Sequence, residues 1–472
     1  MLRAWKLEIV LDPQSDKALY LQIADAVIND IRSGRLKPGE ALPGSRSMAQ
    51  LLKVNRNTVV EALGVLVIEG WLVSKERQGT FVADTFPVFA ERSLKGKLDV
   101  VKDKTIVGVR LQFDDGHPDS KIAPINELAR AYRQLFGQKG RWQLMGYGNE
   151  LGDPEFRKTI VQMLNYQRGM QVNEEHICIT RGSQMAMYLM AQCLFTAGDQ
   201  VMVENPGYKP AWKAFEKAGA KLLPVNVDAE GLVVDEVAAY LESGRKINAL
   251  YVTPHRQYPT TVTMSLQRRL QLIRLSNQYG FTIIEDDYDN EFHFGYRPIL
   301  PLSSFCELQN YVYIGTMSKV VAPALRIGYL ACTCDSLIGK VGELRKMIDV
   351  QGDSIMEQAV LQLIKDGTVK RHIKKATAHY KSKRDDTAAL LQKYMKGKAS
   401  FNIPDGGLAF WIVPNKKVDW SKLREKMQEK GIEITTPENY SFKETVNGIR
   451  FGYGSLSEKD LEEGIAVLAG LL

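Results

Sequence analysis

One lysine stands out for the residues around it. Tyr311-Val312-Tyr313-Ile314-Gly315 reads as a short apolar strand running into Thr316-Met317-Ser318-Lys319, and Arg326 follows seven residues later. An amine can form an imine with an aldehyde, and hydroxyls with a guanidinium can hold a phosphate dianion. Those are the requirements of pyridoxal 5′-phosphate. Taken alone, the segment reads equally well as a surface lysine after a buried strand.

The elements that would have to position this lysine are legible as a pattern. Apolar β-like runs at 176–180, 200–204, 249–253, 281–285 and 311–315 alternate with helical stretches. This predicts an α/β fold, a mainly parallel sheet with helices on both faces and ligands at the carboxyl ends of its strands. After the first run, Arg181-Gly182-Ser183-Gln184 opens a helix whose backbone N–H groups could take a phosphate; the alternative is an ordinary strand-to-helix turn. After the second, the ring of Tyr208 could stack on a pyridine or be a core tyrosine. The fourth run ends in Asp286-Asp287-Tyr288-Asp289. A carboxylate beside a pyridine nitrogen keeps it protonated, and Asp286 is the candidate. Tyr288 could donate to the ring's phenolic oxygen. The competing readings are solvated acids or a metal site, and only His293 is near enough to help a metal, so none is assigned.

These stretches resemble the fold-type I aminotransferases over roughly residues 111–472. The matching segments are Gly182-Ser183-Gln184, Pro206-Gly207-Tyr208, Asp286-Asp287-Tyr288, Ser318-Lys319 with Arg326, and Gly448-Ile449-Arg450-Phe451-Gly452-Tyr453. The resemblance implies a cofactor set of Gly182, Ser183, Gln184, Tyr208, Asp286, Tyr288, Thr316, Ser318, Lys319 and Arg326. It also implies that Lys319 forms the imine and shuttles the proton while Arg450 holds a substrate α-carboxylate, and that a smaller subdomain occupies mostly about 356–472. Where those enzymes commonly carry Asn-Pro-x-Gly, this chain has Thr253-Pro254-His255-Arg256-Gln257-Tyr258-Pro259. That leaves Tyr288 as the main donor to the ring oxygen.

The first eighty residues follow another pattern. Tyr20, Ile23, Ala24, Val27, Ile28 and Ile31 keep helical spacing, and Gly34 offers a stop. Ser45 can cap a short second helix with Met48, Ala49, Leu51 and Leu52 inward. Asn55 or Asn57 can cap a third helix facing inward with Val59, Ala62, Leu63 and Leu66. Two β-rich segments, 71–74 and 80–83, complete a winged helix-turn-helix. Its third helix would present Asn55, Arg56, Asn57 and Thr58 to base edges, with Ser45, Arg46, Arg77 and the backbone at Gly79 on phosphates. The alternative is a small helical bundle with a solvated polar turn. Residues 1–83 are therefore expected to bind double-stranded DNA, and 84–110 to form a linker to an effector domain at 111–472. Residues 15–83 resemble the GntR family of bacterial regulators through Leu42-Pro43-Gly44-Ser45-Arg46, Asn55-Arg56-Asn57-Thr58-Val59 and Glu69-Gly70. The whole chain resembles the MocR subgroup, in which such a domain is fused to an aminotransferase-like one. Thr-Pro-x-x-Gln-Tyr-Pro is typical of that subgroup, and Arg256 replaces its usual histidine.

A chain of 472 residues suggests about three units. No uninterrupted apolar run of about 18 residues predicts a membrane span, the first residues lack a signal-peptide core, and the default compartment is the cytoplasm. The five cysteines show no C-x-x-C pair and suit reduced, buried thiols. The net charge of +7 permits a nucleic-acid partner. The leading reading is a regulator that senses a small amine or amino acid by imine exchange at Lys319; the resemblance adds a head-to-tail homodimer. The second reading is a working aminotransferase with an accessory DNA-binding domain, and the third a regulator that uses the aminotransferase-like part only to dimerise.

Overall fold

The computed structural model describes residues 8–76, 78–85, 108–137, 141–295 and 299–472. The chain divides into two compact units, Met1–Lys104 and Thr105–Leu472. Most of the expected linker, 86–107, lies outside the described residues, as does Arg77.

The first unit holds α1 (Leu19–Arg32), α2 (Ser45–Leu52), α3 (Arg56–Ile68) and a hairpin of β1 (Leu72–Lys75) with β2 (Gly79–Val82). Ile23, Val27, Met48, Val59, Ala62, Leu63 and Leu66 meet in one core. Asn55 is the cap of α3, its side chain accepting the N–H of Asn57 at 2.9 Å. Two expectations fail at α2. Gly44, not Ser45, occupies the N-cap, and Leu51 is 66% exposed, because so short a helix buries only Met48 and Ala49 fully.

The second unit opens with β3 (Leu111–Phe113), α4 (Ile125–Gly137) and α5 (Pro154–Arg168). An alternating series follows: β4 (Ile177–Thr180), α6 (Ser183–Leu194), β5 (Gln200–Asn205), α7 (Lys209–Lys217), β6 (Lys221–Asp228), β7 (Gly231–Leu232), α8 (Val234–Glu242), β8 (Ile247–Val252), α9 (Leu266–Tyr279), β9 (Thr282–Asp287), β10 (Tyr311–Thr316) and β11 (Gly328–Ala331). These strands form one sheet in the order β4-β11-β10-β9-β8-β5-β6-β7. The five strands from β10 to β6 are mutually parallel. Since β4 and β10 are both antiparallel to β11, β4 points the same way as β10. The carboxyl ends of β4, β5, β8, β9 and β10 therefore share one edge. Side chains alternate across the sheet. Ile283, Tyr311 and Tyr313 pack into one core, while Ile284, Val312 and Ile314 pack into another on the opposite face. β9 runs two residues beyond the expected end at Glu285, so Asp286 and Asp287 are strand residues.

The chain continues through α10 (Asp335–Asp349), α11 (Ser354–Lys365), α12 (Thr368–Met395), β12 (Ala399–Phe401), β13 (Ala409–Pro414), α13 (Trp420–Glu429), β14 (Ile432–Ile434), β15 (Ile449–Gly452) and α14 (Glu458–Leu471). β12, β13 and β15 form an antiparallel sheet, and β3 pairs in parallel with β14. Phe113 of β3 stacks on Phe451 with ring centroids 4.3 Å apart, inside a core that also takes Phe410, Ile465 and Leu468. Among the described residues no helix is long and apolar enough to cross a membrane. All five cysteines are free thiols, and Cys306 and Cys334 are exposed, not buried as expected.

Gly464 of α14 tests this packing. A Cβ there would lie 2.0 Å from Phe113 Cζ. Alanine gains about 1 kcal/mol in helix propensity, but overpacking a filled core costs about 1–3 kcal/mol. Gly464→Ala is therefore expected to lower the urea midpoint of the large unit, and an unchanged or raised midpoint contradicts the packing described.

Candidate functional site

A cavity of about 190 Å³ opens at the shared strand edge, and its wall includes Ser183, Tyr208, Asp286, Tyr288, Thr316, Ser318, Lys319 and Arg326. These eight are among the ten cofactor residues that the resemblance implies; Gly182 and Gln184, the other two, do not line the cavity. Asp115, His117, Tyr251, Thr253 and Tyr258 also line it, with Pro118 and Pro323. These were not singled out as site residues. The only available signal was the presence of Thr253 and Tyr258 in the stretch that departs from Asn-Pro-x-Gly.

One end is built for an anion. Gly182 turns the chain at φ +77° into the start of α6, leaving backbone N–H groups without helical partners. A Cβ on Gly182 would lie 2.9 Å from Arg326 Nη2, so only glycine lets the guanidinium come this close. Arg326 Nη2 donates to the Arg181 carbonyl at 3.0 Å. Ser318 Oγ is buried with no protein partner. Thr316 instead shapes the turn, its hydroxyl accepting the Ser318 N–H at 3.1 Å and donating to the Ile327 carbonyl at 3.3 Å. Gln184 is spent on positioning, accepting from the Tyr208 hydroxyl at 3.4 Å and donating to the Pro210 carbonyl at 3.2 Å.

The acids of β9 have opposite fates. Burial raises the Asp287 pKa, but nearby charges and bonds from Tyr313 at 2.7 Å and Asn290 at 2.8 Å more than offset it, and the carboxyl sits below its ordinary range. His255 Nδ1 lies 3.5 Å from Asp287. Burial pushes His255 down to about 4, so at neutral pH it is uncharged and Arg168 supplies the compensating charge. Asp286 has no such cation. Burial pushes it up to about 7, against the bond that Tyr251 donates to Oδ2 at 2.7 Å, and its Oδ1 is buried without a partner. Tyr288 Oη is buried and unpartnered as well.

Asp286 Oδ1, Tyr288 Oη and Ser318 Oγ are thus three orphaned polar atoms in one cavity, where buried polar groups normally find partners. A pyridinium nitrogen, a phenolic oxygen and a phosphate would satisfy them, and Lys319 would offer an amine, so the residues fit pyridoxal 5′-phosphate. Lys319 Nζ donates to the Gly116 carbonyl. Thr253, where the missing asparagine would stand, gives its hydroxyl to Glu204 at 2.6 Å.

Arg450 lies behind the wall, 2% exposed, its guanidinium 5.0 Å from the Tyr258 ring centroid and 5.9 Å from that of Tyr288. Its Nε donates to the Asp115 carbonyl at 2.6 Å and its Nη1 to the Pro259 carbonyl at 3.0 Å, so part of the expected carboxylate fork is engaged by backbone. Arg256 is a tether. It donates to the carbonyls of Asp289 at 3.1 Å and Phe292 at 3.2 Å, and a Cβ on Gly406 would come within 2.0 Å of it. Asp114, Asp115 and His117 bring ligand-type atoms within 4.8 Å. However, Asp114 is already filled by the N–H groups of Gly116 and His117 and the hydroxyl of Ser455.

In the winged-helix unit, Arg46, Asn55, Arg56, Asn57 and Gly79 are exposed and Ser45 and Thr58 half-buried. Arg56 Nε donates to Ser45 Oγ at 3.5 Å, which joins the starts of α2 and α3 in one polar surface.

Two family models match: bacterial regulatory proteins, gntR family, over residues 19–82, and aminotransferase class I and II over residues 113–468. The probable rhizopine catabolism regulatory protein MocR of Rhizobium meliloti is 26% identical over 97% of this chain and 94% of its own length. Aromatic-amino-acid aminotransferase 1 of Thermococcus litoralis is 27% identical over 84% of this chain and 96% of its own. The crystal structure of Pyrococcus horikoshii kynurenine aminotransferase superposes with a TM-score of 0.73 at 25% identity, covering 81% of this chain and 96% of that one.

The state of Asp286 is testable by pH. Its folded pKa is raised, so ionisation opposes folding: the penalty is absent below about pH 4 and complete above about pH 7. Asp286→Asn removes it. At about 1.4 kcal/mol per tenfold, the variant without cofactor is expected to gain up to about 4 kcal/mol at pH 8 and little at pH 4.5. Its retention of pyridoxal phosphate should weaken. Thermal midpoints that differ equally at both pH values contradict this account.

Proposed function

Because this chain belongs to the class I and II aminotransferase family and carries a GntR-family DNA-binding domain ahead of it, the MocR arrangement, it is a DNA-binding regulator, and we propose that it senses a small amine or amino acid through pyridoxal 5′-phosphate held at Lys319. The observation that carries the reading is the unpartnered Asp286 Oδ1 on the wall of a cavity that also holds Lys319. When bound, the cofactor supplies an aldehyde carbon that an amine can occupy and a protonated ring that withdraws electrons.

The chain's own residues would divide the work. Arg326, Ser318 and the start of α6 hold the phosphate; Asp286, fixed by Tyr251, holds a proton at the ring nitrogen; Tyr208 covers the ring; and Tyr288 donates to its oxygen. Arg450 would take a ligand carboxylate by releasing a backbone carbonyl. Lys319 is bonded to Gly116, and Arg450 to Asp115, in the loop that β3 joins to β14. Replacing Lys319 by a ligand amine therefore acts on a loop continuous with the strand that pairs with β14. Ligand binding changes DNA affinity only if the two conformations bind ligand unequally.

We propose a homodimer as well. Met145, Tyr147, Met347, Ile348 and Val350 are between 45% and 90% exposed. The bond from the Gly148 N–H to the Gln351 side chain brings these two segments together. A second copy would cover so apolar a patch. Tyr147→Asp with Met347→Asp is expected to shift the protein to monomer in sedimentation; a dimer of unchanged affinity places the interface elsewhere.

A working aminotransferase is the second reading, supported by the survival of Lys319, Asp286, Tyr288 and Arg450 at one site. Three measurements separate the readings. The loaded protein is expected to show an imine absorbance band that is lost in Lys319→Ala. An amine that alters the band is expected to change operator affinity at fixed salt by about fivefold or more. Steady-state transfer between an amino donor and a 2-oxo acid should be slow or absent. DNA affinity indifferent to cofactor and to every amine tested overturns the sensing function, and absence of the band leaves only the dimerisation role.

A further inference from the structure

The charged groups of the cavity can be assigned one by one, and one is left over. On the proposed reading Arg326 is committed to phosphate, Asp286 to the ring nitrogen and Lys319 to the aldehyde. Asp115 has no part in holding the cofactor. Nor does the local turn need its side chain, because Asp114 accepts the N–H groups of Gly116 and His117, both at 2.8 Å. Asp115 is nevertheless on the cavity wall, its side chain 32% exposed. Its neighbour Gly116 accepts from Lys319, so the carboxylate stands at the end of the cavity where an amine would enter. The partners of its oxygens are the Tyr258 hydroxyl at 3.2 Å and His117 Nε2 at 3.3 Å. Burial raises its pKa, but Lys319, Arg450 and His117 outweigh burial and keep it ionised.

An ionised carboxylate there selects by charge. A ligand whose free end is a carboxylate meets repulsion from Asp115, a neutral end gains nothing, and an ammonium gains a partner in a half-enclosed site where screening is weak. Arg450 offers limited compensation to a second carboxylate, since its Nε and Nη1 already serve the carbonyls of Asp115 and Pro259. We infer that the ligand is a compound with two amino groups, a diamine or a basic amino acid, whose first amine takes the place of Lys319 and whose second pairs with Asp115. Asp115 is then the specificity determinant. This rests on the reading that amines exchange at Lys319.

The test is a titration of the imine band of the full-length, cofactor-loaded protein with ornithine, lysine, norleucine and glutamate at one pH and salt. Ornithine or lysine is expected to act at concentrations at least about tenfold below norleucine, with glutamate weakest, a difference of about 1.4 kcal/mol. In Asp115→Asn, which keeps an acceptor for Tyr258, the preference for the basic amino acids should shrink at least about fivefold. Norleucine matching ornithine in the native protein, or a preference that survives in Asp115→Asn, overturns the inference while leaving imine exchange standing. A band that no amine alters removes both. If Asp115→Asn does not fold, the native series together with Asp115→Glu decides, since glutamate at this position keeps the charge and should keep the preference.

Discussion

Glu285, Asp286, Asp287 and Asp289 lie along and just beyond a strand buried on both faces, and a carboxylate there needs hydrogen bonds or a nearby cation, or it gives up its charge. Much of the architecture at this edge answers that need. Glu285 accepts the N–H groups of Leu302 and Ser303 and the Ser303 hydroxyl. Asp287 takes Tyr313 and Asn290, Asp289 faces Arg256, and Glu291 meets Arg168. Asp287, Asp289 and Glu291 each keep one oxygen without a hydrogen bond but have an arginine near, whereas Asp286, on the cavity wall, has no cation beside it. It is held by a single tyrosine and left with one bare oxygen. A cation delivered from outside the chain would complete the set, so the burial that makes the acid costly would also give it affinity for a protonated ring.

The same logic reaches the loop from Asp114 to Pro118. It is anchored on one side by β3, whose Phe113 is locked against Phe451 and faces Gly464, and on the other by bonds from Lys319 and Arg450. The two cations expected to handle a ligand are therefore tied, without one, to backbone carbonyls of a single loop. Any group that claims either cation must rearrange that loop or share it. This gives the second unit a physical reason to have more than one conformation.

Sequence patterns exposed the parts of this design that depend on local chemistry. A lysine after small hydroxyl residues, glycine at a helix start and acids at a strand end announce themselves because strand and helix periods place them. The runs at 200–204, 249–253 and 311–315 correspond to β5, β8 and β10 within two residues at each end. Harder to see were residues whose role comes from neighbours distant in the chain. Tyr251 is an ordinary strand tyrosine until the parallel register of β8 and β9 sets its hydroxyl on Asp286. Asp115 is invisible as a wall residue until β3 pairs with β14, more than 300 residues away. Arg256, unplaced by the sequence, acquires its tethering role only when Gly406 and Gly407 close on it. The error at Leu51 has a related origin, since helical spacing names a face but not how much of that face an eight-residue helix can cover.

Binding a cofactor and turning over a substrate make different demands, and the site meets them unequally. Holding the cofactor needs the phosphate cradle, a ring clamp and an amine, and the cavity wall offers Ser318 Oγ, Asp286 Oδ1 and Tyr288 Oη without partners, with Lys319 beside them. Turnover also needs the electron-withdrawing ring and its oxygen tuned so that a proton moves on and off carbon quickly. There the chain is thinner: Thr253 is bonded to Glu204, and Tyr288 alone would serve the oxygen. A site strong in capture and weak in tuning suits a protein whose output is a conformation, because a captured amine must stay long enough to shift a population. Rapid conversion of the ligand would erase the signal that the DNA-binding unit is there to deliver.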